Sequence, residues 1–158
     1  MGDIRQTSAD KILKVVSAEW AFLAALPEET ASICPGAGQW SIKQLVGHLV
    51  DSASNNHQRM VRLHYQKELR FPDYTSTNEI WVSVQNYQQE NWMDLLSLWK
   101  FYNHHIAHLI RNADTGCLLH TWIDGEGRAA TLEMMISGYV DHLIAHVEDV
   151  RRVAGIIR

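Results

Sequence analysis

Four long stretches of the chain repeat apolar residues every three or four positions. The first holds Ile12, Leu13, Val16, Trp20, Leu23 and Ala24, and it closes where Leu26 meets Pro27. With Ser8 as its cap, this pattern predicts helix 1 over roughly 8–26. The second holds Ile42, Leu45, Leu49, Ala53, Met60 and Leu63. Ser41 and Gln44 ahead of it have the spacing of a capping box, and Trp40 and Leu45 are placed as a hydrophobic staple. Helix 2 is therefore expected from 41 to about 69, stopped by Phe71-Pro72-Asp73. The third stripe is Trp92, Leu95, Trp99, Tyr102, Ile106, Leu109 and Ala113, which predicts helix 3 over about 91–112. The fourth is Leu132, Ile136, Tyr139, Leu143, Val147, Val150 and Ala154, with Thr131 as cap and Gly155 as stop.

Between these stripes, 27–39 carries prolines and glycines and reads as a loop. A crossover of roughly twenty residues, with one short helix near 78–84, joins helices 2 and 3 and is long enough to let them run parallel. The stretch 115–130, with Asp124-Gly125-Glu126-Gly127 inside it, reads as a turn or a small hairpin. Four amphipathic helices must cover one another. The fold expected is all-α, a four-helix bundle with a long crossover between helices 2 and 3, formed as one domain over 1–158.

Composition narrows the function classes. A formal net charge of −4 supplies no basic patch for phosphate backbones, so nucleic acid is not an expected partner. Cys34 and Cys117 are far apart in sequence and read as reduced thiols. No stretch approaches a membrane span, no leader pattern opens the chain, and a cytoplasmic location is expected.

The candidate chemistry sits in Tyr139-Val-Asp-His-Leu-Ile-Ala-His-Val-Glu-Asp-Val150. His142 and His146 are four residues apart, so both imidazoles leave one side of a helix and can reach one metal ion. They lie on the edge of the apolar stripe, where an unpaired polar ring is costly. Helix 2 carries a matching polar row, His48, Asp51, Ser52, Asn55 and Arg59, which makes His48 the expected third ligand. Two satisfied core histidines are the alternative reading of the pair. His104 and His108 share the four-residue spacing but lie opposite their helix's apolar stripe and are expected in solvent; His105 is closer to the apolar edge. Three neutral nitrogens suit Zn, Ni, Fe or Cu alike, and three protein ligands leave coordination positions open, as at catalytic centres. Asp51 and Asp149 each follow a proposed ligand by three residues and could orient its ring, or stand as exposed carboxylates. Asn55 and Arg59 are candidates to hold a substrate carboxylate or polarise an electrophile; Arg59 could equally pair with an acid and close the bundle.

Three segments together, QWSIKQLVGHLVDSASNNHQR, the later FPDY with the 87–99 pattern, and TLEMMISGYVDHLIAH, resemble the DinB/YfiT-like superfamily over nearly the whole chain. The resemblance implies a four-helix bundle with a long crossover, a three-histidine site mapping onto His48, His142 and His146, and frequent homodimers. Some relatives use a divalent metal to activate a low-molecular-weight thiol for S-transfer, and others are described as metal-dependent hydrolases. Iron enzymes of the group carry a glutamate two residues beyond the second helix histidine. Glu148 matches that position here, but helical geometry turns it away from the ligand face. The reading expected is a three-histidine enzyme activating a small thiol. A metal-dependent hydrolase and a non-catalytic, stress-related metal-binding module are the alternatives, and Asp51 and Asp149 are the only carboxylates on the ligand face to act as a hydrolase's base.

Overall fold

The computed structural model of the chain describes residues 2–157, so the two end residues of the expected 1–158 domain lie outside it. Its helices are α1 Ile4–Ala24, the one-turn α2 Glu28–Ala31, α3 Ile42–Leu63, α4 Asn78–Gln85, α5 Trp92–Arg111 and α6 Leu132–Ile156. Three short strands, β1 Glu68–Arg70, β2 Thr121–Ile123 and β3 Ala129–Thr131, and single 3-10 turns at Thr75–Thr77, Tyr87–Gln89 and Thr115–Cys117 accompany them. The expected helices 1 to 4 are α1, α3, α5 and α6.

The caps explain where these helices begin. Ser41 Oγ accepts from Gln44 N at 3.2 Å while Gln44 Oε1 accepts from Ser41 N at 3.0 Å, which is the predicted capping box. Thr131 caps α6 through Met134 N at 3.2 Å. Helix 1 starts earlier than the stripe suggests: Asp3 is its cap, accepting from Arg5 N at 3.0 Å, and Ser8 is buried inside it. α3 ends at Leu63, short of 69, because β1 pairs parallel with β2, an attraction of distant chain that local periodicity does not register. The hairpin reading of 115–130 holds as β2 and β3, antiparallel with Thr121 opposite Thr131. Gly155 lies within α6, which runs on to Ile156.

Packing is square. α1 lies against α5 and α6, and α3 lies against the same two helices, so α1 faces α3 across the core and α5 faces α6. The sequence neighbours α1 and α3 are thus diagonal, an order that a simple up-and-down bundle lacks. Buried Trp92, Trp99, Ile12, Ile42, Leu95, Ile106 and Leu132 fill the centre. Tyr139 on α6 donates to Asn103 Oδ1 on α5 at 2.7 Å across this core.

The crossover is tied down by polar groups. Lys43, 1% exposed, donates to Glu28 Oε1 at 2.8 Å and to the Gln88 carbonyl at 3.2 Å, clamping α2 and the turn after α4 onto α3. Tyr87 packs on α3 at Gly47, where a Cβ would stand 2.2 Å from the ring. Its hydroxyl donates to Asp51 Oδ1 at 2.7 Å, and Gln85 Nε2 donates to the same oxygen. Among the described residues no helix is long and apolar enough to cross a membrane.

Candidate metal centre

His48 on α3 faces His142 and His146 on α6, and one ligand atom from each lies within 4.8 Å of the others. Ring centroids are 5.4 Å apart for His48 and His142, 4.8 Å for His48 and His146, and 4.4 Å for His142 and His146. The four-residue spacing sets the last pair one helical turn apart, and His48 meets it because α3 and α6 pack face to face.

Burial favours the neutral form of His48 and His142. Burial, followed by the neighbouring His146 and His142, holds His48 down to about 4; burial, then His146, does the same to His142. Three imidazoles this close crowd their ring nitrogens together unless a cation shares them, and they are the donor set of a divalent transition metal. Among the described residues no fourth His, Cys, Asp or Glu joins the group. Buried His48 Nδ1 also has no hydrogen-bond partner among them.

Two rings have a polar side chain near Nδ1, and one of them is held by it. Ser52 Oγ is 3.3 Å from His142 Nδ1, and Asp149 Oδ2 is 3.2 Å from His146 Nδ1, off the line of a hydrogen bond. The Ser52 contact leaves Nε2 of His142 for an ion, whereas His146 Nδ1 is buried without a hydrogen bond. Asp51 is placed differently from its expected role beside His48. One of its oxygens is taken by Gln85 and Tyr87 and the other is buried without a partner. Burial raises the Asp51 carboxyl, against the Tyr87 and Gln85 hydrogen bonds that lower it.

Two cavities adjoin the trio. One, of about 260 Å³, is walled by His142, Ser52, Arg59, Tyr74, Trp122 and Gly138 among others. The second, of about 330 Å³, is walled by His146, Trp40, Glu79, Asp149 and Arg152 among others. A larger cavity, about 500 Å³ and lined in part by Cys34, Gln44 and Asn86, touches none of the three histidines. Arg59 lies in the first cavity with its guanidinium 4.1 Å above the Trp122 ring, and its Nη2 donates to Asp73 Oδ1 at 3.0 Å and to the Pro72 carbonyl at 3.3 Å. Asn55 lines neither adjoining cavity; its amide donates to the Asp51 carbonyl at 3.0 Å, and Asn56 takes the wall position.

His104, His105, His108 and Glu148 are exposed, and His105 sits beside His57 with centroids 5.1 Å apart. Ser52 is legible in the sequence as a position, four residues after His48, but not as the partner of His142. Trp40 and Tyr74, with rings 5.2 and 6.0 Å from His48, come from a loop and the crossover, where no periodicity marks a residue as facing the centre.

The fold has known counterparts. The structure matches YfiT from Bacillus subtilis, described as a probable metal-dependent hydrolase with an unusual four-helix bundle topology, with a TM-score of 0.78 at 18% identity over 96% of this chain and 87% of that one. It also matches the mycothiol-dependent maleylpyruvate isomerase, with a TM-score of 0.73 at 14% identity, covering 92% of this chain and 59% of that enzyme. Comparison with curated protein sequences finds no match. Residues 17–150 match the sequence profile of the DinB superfamily, and the chain belongs to that superfamily.

Proposed function

We propose that this chain is a metal-dependent S-transferase for a small thiol, with His48, His142 and His146 as the ligands of one divalent transition metal, Zn, Ni or Fe. The observation that carries this reading is the convergence of three imidazoles within 4.8 Å, with cavities on the flanks instead of a fourth protein ligand among the described residues. A bound divalent metal lowers the pKa of a thiol or water at its open positions. The chain's own residues do the rest. Ser52 fixes the orientation of the His142 ring. Tyr74, 7% exposed and with its hydroxyl pushed up to about 12 by burial, stays protonated as a neutral wall. Arg59, held by Asp73, presents a fixed cationic plane in the His142-side cavity.

In the transfer the thiol gives its proton to solvent and its sulfur lone pair forms a bond to an electrophilic carbon. The leaving group departs with the bonding pair. The maleylpyruvate isomerase that shares the fold is described as mycothiol-dependent, which supports a small thiol as cosubstrate. Asp149 and Asp73, the aspartates on the adjoining cavity walls, are engaged by Arg152 and Arg59, which leaves neither free as a water-activating base. A hydrolase is the second reading, and it rests on Asp51, whose buried Oδ2 has no partner among the described residues. A homodimer, implied by the family resemblance, belongs to the same proposal and is checked by light scattering.

The deciding assay incubates tag-free, metal-loaded protein with cysteine or 2-mercaptoethanol and monochlorobimane, in parallel with ester and amide substrates. Metal-dependent conjugation without hydrolysis supports the transferase. Hydrolysis abolished by Asp51→Asn, without conjugation, replaces it with the second reading.

A further inference from the structure

The two cavities beside the histidines share no wall residue. Their walls are also ordered along the helices. On α6, Met135, Gly138 and Tyr139 precede His142 and line its cavity, whereas Asp149, Arg152 and Val153 follow His146 and line the other. On α3 the order is reversed: Leu45, before His48, belongs to the His146 side, and Ser52, Asn56 and Arg59, after it, belong to the His142 side. At 1.5 Å of rise per residue, the histidine cluster therefore stands as a partition across the groove between α3 and α6, with one cavity on each side along the bundle axis.

The two chambers differ in chemistry. The His142 chamber offers Tyr74, Trp122, Ala130, Met135 and Tyr139, and its Arg59 is already paired with Asp73. The His146 chamber carries Glu79 and the exposed pair of Asp149 with Arg152, 2.6 Å apart, and abuts the 500 Å³ cavity through Gly38, Gln39, Trp40 and Glu79. Gly138 explains itself in this setting. Glycine destabilises a helix relative to alanine, yet Gly138 sits in α6 where a Cβ would meet nothing within 4 Å, so its lack of a side chain leaves that chamber open.

The geometry points to a centre with two separate entrances, in which a small zwitterionic thiol arrives from the His146 side and a mainly apolar electrophile from the His142 side. This rests on the thiol-transfer reading for the identity of the reactants, but the two entrances stand on the cavities alone. A zwitterionic aminothiol presents an ammonium to Glu79, which has no ion pair among the described residues, and a carboxylate to Arg152 in exchange for its exposed pair with Asp149, while an apolar electrophile matches the aromatic chamber.

The full chain serves for the test. Diethyl pyrocarbonate labels accessible neutral imidazoles, and peptide mass mapping assigns the label to each histidine. On metal-free protein, Gly138→Trp should slow labelling of His142 about tenfold and leave His146 unchanged, and Gln39→Trp should do the reverse. Gly138→Leu and Gln39→Leu, checked by circular dichroism, give the same pattern in milder form if a tryptophan disturbs folding. Equal protection of both rings by either variant, or protection of neither, overturns the two entrances. In a second arm the protein is loaded with Co(II) and titrated with L-cysteine, followed by sulfur-to-cobalt charge-transfer absorption. Gln39→Trp should weaken cysteine binding about tenfold and Gly138→Trp should not. The opposite ranking overturns the assignment of the thiol to the His146 side. Failure to take up Co(II) defeats the thiol-transfer reading and this assignment with it, while the labelling arm still decides on the entrances.

Discussion

Ser52 Oγ lies 3.3 Å from Nδ1 of His142, so α3, which carries His48, also orients a ring on the facing helix. The contact turns two packed helices into one coordinated unit. With Nδ1 held by Ser52, the ring has Nε2 left for an ion, and an ion there would leave the proton on Nδ1, donated to the Ser52 oxygen.

Ser52→Ala should therefore weaken metal affinity by about tenfold, the usual loss when a ring-orienting partner is removed, without removing a ligand. Ser52→Thr, which keeps the hydroxyl, should restore most of it. Chelator competition measures both variants. Equal affinity in Ser52→Ala and the unaltered protein would show that the hydroxyl does not steer the ring.

Gly47 and Tyr87 give a stability prediction. A methyl at Gly47 would stand 2.2 Å from the Tyr87 ring, whose hydroxyl anchors the crossover to Asp51 at 2.7 Å. Gly47→Ala forces that ring away, and the expected loss is about 1–3 kcal/mol in urea unfolding. In a Tyr87→Ala background the same substitution should cost far less, because the clash is gone. Additive losses would refute the contact as the cause.

The metal-free protein should lose stability as pH falls from 6.5 toward 4. Folding lowers His48 and His142 from 6.5 to about 4, chiefly by burial, so the unfolded chain binds more protons across that window. Stability is then fully present above about pH 6.5 and declines through the folded values, by something on the order of a few kcal/mol. Urea melts at stepped pH measure the slope. A His48→Gln/His142→Gln variant should flatten it, and an unchanged slope in that variant would assign the acid sensitivity elsewhere.

How much of this was legible in the chain follows from where the information resides. Helix periodicity and caps are local, so Ser41 with Gln44, Thr131, and the stripes of α3, α5 and α6 could be read directly. The pairing of His142 and His146 is also local, and the matched polar row on α3 was enough to single out His48. What escaped depends on contacts between distant segments. β1 forms because residue 68 meets residue 121, which shortens α3. Asp51 turns to Gln85 and Tyr87, groups delivered by the crossover, and Asn55 bonds back to its own helix. Trp40, Tyr74 and Trp122 reach the cavities from loops and a strand, where neither a period of 3.6 nor one of 2 marks them as inward.

The most direct measurement is metal content by elemental analysis of protein purified without a histidine tag, compared with His48→Ala, His142→Ala and His146→Ala. Three imidazoles sharing one ion require about one equivalent per chain in the unaltered protein and at least a tenfold fall in affinity in each variant. Full occupancy in His48→Ala, with the fold intact, would contradict the shared centre.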